Sequence, residues 1–274
     1  MPRTNKPLKV IAVASGKGGV GKTNVSVNLS VALARLGREV MLFDADLGLA
    51  NVDVLLGLRP ERTLHDLVNG AVDGLEDILI EGPEGVRVVP SASGIATMAN
   101  LTPAEHAGLI HAFSAYSRPL DVLVVDTAAG VQESVTTFCQ AVQETLVVVC
   151  DEPASITDAY ALIKVLNRDH GMRRFRLVAN MVADRAGAER VLKKLMAVCA
   201  NYLPEVVLDL VGFVPLDEHL RKAVQKRAPV VREYPGSPAG KAFAELARTV
   251  DRWPVGGQAH GGMGFFVERM LQSA

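Results

Sequence analysis

With 274 residues, 49% of them apolar and only 5% aromatic, the chain is long enough for one large α/β domain packed from Val, Ile, Leu and Ala. A formal net charge of −1 gives no broad basic face, and so few aromatics argue against a base-stacking platform, so no direct nucleic-acid partner is expected. The three cysteines, Cys139, Cys150 and Cys199, form no CxxC pair, which argues against a disulfide framework or a cysteine-held metal and points to reduced thiols in a cytoplasmic protein.

In chain order, Met1–Lys9 is basic, but the short apolar run behind it enters a Gly-rich loop rather than a cleavage site, so it does not read as a signal peptide. Nowhere do about eighteen apolar residues follow one another. Strand-like runs recur at Leu8–Ala14, Glu39–Phe43, Asp121–Val125, Thr145–Cys150, Phe175–Ala179 and Val206–Val214. They are too apolar to have a solvated face, as in a mostly parallel sheet covered on both sides. Helical spacing alternates with them. Val25, Leu29, Ala32, Leu33 and Leu36 fall one turn apart and are closed by Gly37, and further helices are predicted over Pro103–Ala115, Ser155–Asn167, Ala188–Tyr202 and Ala239–Trp253. This alternation predicts a doubly wound α/β sheet with helices on both faces, spanning residues 1–253. Residues 254–264 are rich in Gly and Pro and read as a linker to a short tail, residues 265–274.

After the first strand comes Gly16-Lys17-Gly18-Gly19-Val20-Gly21-Lys22-Thr23, a P-loop in the context that the motif requires, strand before and helix after. Gly18, Gly19 and Gly21 let backbone N–H groups converge on phosphate oxygens at a helix N-terminus. Lys22 is placed for the β- and γ-phosphates and Thr23 for Mg²⁺, with Asn24 next in the nucleotide-binding run. Lys17 sits on the outer lip. It reads either as a solvated lysine or as a cation that reaches the nucleotide of a facing subunit. Asp44 and Asp46 follow the second strand-like run and Asp126 ends the run Val122–Val125, followed by Thr127-Ala-Ala-Gly130. Carboxylates beyond the carboxyl ends of strands suit Mg²⁺ and switch loops, although each also fits a cap or turn.

The run from Lys17 to Thr23 resembles the deviant Walker A signature of the MinD/ParA family of P-loop ATPases, and the resemblance extends from Val10 to about Leu271. It implies ATP/ADP and Mg²⁺ as cofactors, slow ATP hydrolysis and an ATP-dependent homodimer. It also implies that Lys17 acts across the dimer, that Asp46 activates the attacking water and that Asp44 and Asp126 serve Mg²⁺ through its waters. Thr23 completes that metal set. Asn180 matches the family's adenine-reading Asn, and Pro215-Leu-Asp217 matches the segment on the other side of the base; an Asn at a strand end is also a common turn former.

The segment Asp44–Asp53 resembles the MinD branch. The strings Asn24–Ser30, Asp151–Lys164, Leu166–Gly171 and Phe265–Leu271 resemble the flagellar-number regulators called FlhG or FleN. That resemblance implies an antiactivator that restrains the enhancer-binding master activator of flagellar genes and opposes the GTPase FlhF. Some FlhG proteins carry an N-terminal Asp-Gln-Ala extension that stimulates FlhF; this sequence has only a few residues before its first strand, which shifts the expectation toward the activator.

In the tail, Met263, Phe266, Val267, Met270 and Leu271 share one helix face, with Glu268, Arg269 and Gln272 largely opposite. Partial burial of these side chains makes one tail a marginal anchor, while two in an ATP dimer act together. Reversible membrane contact through Phe265–Leu271, at the inner membrane or cell pole when ATP is bound, is one expectation; folding back onto the body is the other. The competing functions are a positioning ATPase for cell division or DNA segregation, a metal-cluster carrier, and a binding module without turnover.

Overall fold

The structure is a computed structural model that describes residues 8–46, 51–90, 102–254 and 263–272. Its strands are β1 (Lys9–Ser15), β2 (Val40–Ala45), β3 (Ile80–Glu81), β4 (Arg87–Val89), β5 (Val122–Ala129), β6 (Glu144–Cys150), β7 (Arg174–Val182) and β8 (Val207–Pro215). They form one sheet in the order β3-β4-β2-β5-β1-β6-β7-β8, parallel except where β3 meets β4. The helices are α1 (Lys22–Arg35), α2 (Val52–Leu56), α3 (Leu64–Val68), α4 (Pro103–Ser114), α5 (Glu133–Ala141), α6 (Pro153–Arg168), α7 (Arg185–Tyr202), α8 (Glu218–Gln225), α9 (Val230–Glu233), α10 (Pro238–Asp251) and α11 (Met263–Gln272).

Alternate strand residues feed two separate cores, which is why these runs are apolar throughout. Val10, Ala12, Phe43, Val125 and Val149 face α3 to α7 and α11, while Ile11, Val13, Leu42, Val124 and Val148 face α1, α2, α9 and α10. On the first side, Phe43 meets Phe138 edge-on at 5.7 Å. The doubly wound prediction therefore holds, and each of the six predicted strands is found within a few residues.

β5 runs farther than its apolar stretch. Flanked by β1 and β2, its backbone continues the ladder through Asp126 and Thr127 to Ala129, with Asp44 paired to Asp126, Ala45 to Thr127 and Ser15 to Ala129. That register sets two acidic residues side by side at the carboxyl ends of neighbouring strands. Short elements were not predicted, notably β3, β4 and α5. In α5 the Val and Thr content favours a strand, and burial of Val135, Phe138 and Cys139 against the sheet overrides it.

The predicted linker over residues 254–264 ends earlier, because α11 starts at Met263. Phe266, Val267 and Met270 are buried in the core beside α4 and α5, whereas Glu268 and Arg269 are exposed. The predicted apolar face is real, and here it covers the body of the protein. Arg269 Nη2 donates to the Gln140 carbonyl at 2.7 Å, in the last turn of α5, where a cation also meets the negative end of the helix dipole. No helix among the described residues is long and apolar enough to cross a membrane.

Candidate nucleotide site

The loop from β1 to α1 is the centre of the site. Gly21 takes φ 85° and caps α1, and a Cβ there would stand 2.3 Å from Asn180 Nδ2. Gly16 is excluded from carrying a side chain by α6, because its Cβ would lie 2.0 Å from the Asp158 carbonyl oxygen. Gly18, by contrast, has no positive φ and open space where its Cβ would be, so the loop's own fold does not demand glycine there. Val20 is buried, and its carbonyl accepts from Asn180 Nδ2 at 2.7 Å, tying the P-loop to β7.

The two loop lysines have opposite surroundings. Lys22 is buried, with Nζ 2.9 Å from Asp126 Oδ1. Lys17 lies at the surface, 3.3 Å from the exposed Glu152 just before α6. Because an unpaired buried ammonium is costly, Asp126 neutralises Lys22 until an anion takes its place. A phosphate entering the loop would supply that anion, and Asp126 would then be free to serve a cation. The Thr23 hydroxyl makes no hydrogen bond among the described residues and is uncommitted at the mouth of the same loop.

Asp44 is held by backbone N–H groups of Asp46 at 3.2 Å, Asn51 at 3.1 Å and Val52 at 3.2 Å. Burial, reinforced by the charge of Asp126, still pushes its carboxyl up to about 7. This shared negative charge is what a divalent cation would relieve. Asp46 begins the segment after β2 and is half-buried. Leu47, Gly48, Leu49 and Ala50 lie outside the described residues. On the other flank Gly130 N donates to the Ser15 carbonyl at 2.8 Å and the Thr127 hydroxyl lies 3.1 Å from the Val13 carbonyl oxygen, so the segment after Asp126 rests on β1.

Among the described residues two buried side-chain oxygens lack any partner, Asn24 Oδ1 and Asn180 Oδ1. Both belong to this site. One N–H of the Asn180 amide is given to Val20, which turns its unpartnered oxygen to the site as an acceptor, a group that an exocyclic amino group such as adenine's would satisfy. Pro215 pairs with Val182 at the end of β8. The Asp217 carboxylate accepts from His219 N at 2.8 Å and Ala239 N at 2.9 Å, anchoring α8 to α10, so any contact of the Pro215–Asp217 segment with a base would be made by other atoms of that loop. Leu216, 77% exposed, is the apolar side chain that this loop offers. Ser26, invisible to the motif, donates to Asp126 Oδ1 at 2.7 Å; its position one turn beyond Lys22 was the available signal.

The residues thus fit a magnesium nucleotide: a glycine loop with a helix N-terminus for phosphate, Lys22 for charge, and Thr23, Asp44 and Asp126 as oxygen donors for Mg²⁺ or its waters. When bound, Mg²⁺ would neutralise the phosphate oxygens as charge shifts between them. The cysteines do not form a competing centre. They lie on α5, β6 and α7, all buried, and burial pushes Cys139 up to about 12 and Cys150 and Cys199 up to about 11. No cluster of three His, Cys, Asp or Glu able to hold a metal occurs among the described residues.

Comparison with known proteins agrees with this geometry. The family described as ParA, NUBPL iron-transfer P-loop NTPase, matches residues 7–251. Antiactivator FleN of Pseudomonas aeruginosa is 59% identical over 266 residues, covering 97% of this chain and 94% of that protein. Flagellum site-determining protein YlxH of Helicobacter pylori is 31% identical, covering 87% and 80%. Among solved structures, the septum site-determining protein MinD complexed with Mg-ADP from Pyrococcus horikoshii gives a TM-score of 0.72 at 28% identity, over 89% of this chain and 96% of that one. The MinC:MinD cell division complex of Aquifex aeolicus gives 0.72 at 25% identity, over 90% and 97%. The chain belongs to the MinD/ParA family of P-loop NTPases, and its similarity is to the flagellar-number regulators of the FlhG/FleN kind.

Proposed function

We propose that this protein is an ATP-dependent dimerising switch with slow ATPase activity that limits flagellar number by restraining a flagellar transcriptional activator. The observation that carries the reading is the separation of the two loop lysines: Lys22 is buried for its own nucleotide, and Lys17 sits at the surface beside Glu152, available to a facing subunit. Identity of 59% with an antiactivator supplies the biological direction.

In this reading ATP and Mg²⁺ draw Lys22 off Asp126, and the segments after Asp44 and Asp126 rearrange around the γ-phosphate. Asp46 orients the attacking water. Lys17 contributes charge to the partner's nucleotide, so closure and chemistry depend on one another. Exposed apolar side chains support a face that becomes covered: Val131 follows β5, Leu216 follows β8, Met181 lies at the end of β7, and Val54 lies on α2. The activator binds the surface formed in the ATP dimer. FlhF is a second partner, and membrane contact through Phe265–Leu271 follows when α11 leaves α4 and α5.

The deciding experiment is size-exclusion chromatography with light scattering in ADP and in a nonhydrolysable ATP analogue, with and without the flagellar activator. A monomer in ADP, a dimer in the analogue and co-elution of the activator with the dimer are expected. A monomer in both nucleotides would refute the switch.

A further inference from the structure

Ser26 stands on α1 one turn beyond Lys22 and is fully buried. Its Oγ lies 2.7 Å from Asp126 Oδ1 and 3.2 Å from the Lys22 carbonyl. A hydroxyl has one proton to give, and the short contact to a carboxylate takes it in preference to the longer one to a neutral carbonyl. Ser30, one turn further, shows the ordinary use of a buried helical serine, with Oγ 2.8 Å from the Ser26 carbonyl. Ser26 departs from that use.

Lys22 Nζ reaches the same oxygen of Asp126 at 2.9 Å, so two donors hold Oδ1 and neither reaches Oδ2. The donors are not equivalent. Lys22 ends a long, flexible side chain and is the group that phosphate attracts, whereas Ser26 has a single rotatable bond from a backbone fixed in α1. When Lys22 turns to phosphate, Ser26 is the donor that stays.

We infer that Ser26 is a positioning residue for Asp126, holding its carboxylate through Oδ1 so that Oδ2 is presented to hydrated Mg²⁺ while Lys22 serves the nucleotide. The inference rests on the reading of Asp126 as a magnesium-site residue. It also completes a pattern at the strand ends: three loop N–H groups hold Asp44, and one helix hydroxyl holds Asp126.

The test is binding of a fluorescent ADP in EDTA and across a Mg²⁺ titration, for the parent, Ser26→Ala, Ser26→Thr and Asp126→Asn, with thermal melts alongside. Ser26→Ala should keep its metal-free nucleotide affinity and its melting behaviour, while the Mg²⁺ needed for half-maximal tightening rises about tenfold, the scale of one hydrogen bond to a charged group. Ser26→Thr, which retains the hydroxyl, should restore the parental requirement. A parental Mg²⁺ requirement in Ser26→Ala, with Asp126→Asn shifted, overturns the role of Ser26 alone. A parental requirement in Asp126→Asn removes the metal reading beneath it. Equal loss of binding with and without Mg²⁺ in Ser26→Ala marks a structural role and also overturns the inference.

Discussion

Lys17 Nζ and Glu152 Oε2 are 3.3 Å apart, and their two segments are locked together by the close packing of Gly16 against the Asp158 carbonyl of α6. The signature lysine thus has a resting partner within its own chain. If Lys17 reaches across a dimer as proposed, that contact would compete with this one, and the pair would couple the start of α6 to closure. Because both side chains are exposed, the pair is worth only about 0–1 kcal/mol and opposes closure weakly.

Replacing Glu152 by Gln should therefore leave the melting temperature almost unchanged and lower the ATP concentration needed for dimerisation up to about fivefold, the equivalent of that energy. Lys17→Ala should bind ADP normally and remain monomeric in ATP. Light scattering across an ATP titration checks both; an unaltered threshold in Glu152→Gln would show that the ion pair does not compete with closure.

Asp46→Ala should retain ATP binding and dimerisation and lose turnover. Removing a water-orienting carboxylate costs on the order of 10²-fold or more when it serves as general base. The check is single-turnover hydrolysis on dimer already isolated by size exclusion. Normal single-turnover rates would place the activation of water elsewhere.

The phosphate loop and the sheet were legible because they depend on local pattern: a run of glycines between Gly16 and Gly21, and apolar strands long enough to be buried twice over. Asp44 and Asp126 were legible as strand-end acids. Their adjacency was not, since it comes from the β2 and β5 register across some eighty intervening positions. What the Asp217 carboxylate does was not legible, since capping α8 and holding α10 depend on contacts that the Pro-Leu-Asp string does not show. Ser26 carries no motif of its own; its role depends on a long-range contact. The tail's apolar face was readable from helical spacing, but spacing cannot tell a lipid surface from α4 and α5.

The raised carboxyl of Asp44 sets a pH dependence with a definite sign. Its folded value, about 7, lies above its ordinary 3.8, so between those limits the folded protein holds a proton that the unfolded chain has lost. Stability of the nucleotide-free protein should fall as pH rises through this window and level off above it. Asp44→Asn should flatten that slope and stabilise the nucleotide-free form at pH 8 by on the order of a few kcal/mol. Urea unfolding at several pH values measures this. The opposite trend is expected for Mg²⁺-dependent nucleotide binding, which needs the ionised carboxylate and should strengthen as pH rises through 7, with proton release visible by calorimetry in two buffers.

Helix α11 joins the body by apolar packing and by polar contacts that include the Arg269 cap on α5, and these can be separated. Phe266 is buried beside α4 and α5, so Phe266→Ala should cost about 3–5 kcal/mol if the helix unfolds with the domain, and far less if the helix detaches first. Arg269→Ala removes the bond to the Gln140 carbonyl at the end of α5 and leaves the buried Phe266 in place. It should leave global stability within about 1 kcal/mol and raise hydrogen exchange selectively in residues 263–272 and the last turn of α5. Because α5 descends from the segment after Asp126, the same exchange measurement in an ATP analogue reports whether nucleotide loosens α11. Increased exchange there, with vesicle sedimentation rising in parallel, is the expected result for a tail whose exposure depends on ATP. Unchanged protection of α11 in the ATP dimer would make it a permanent part of the core and would end the membrane reading.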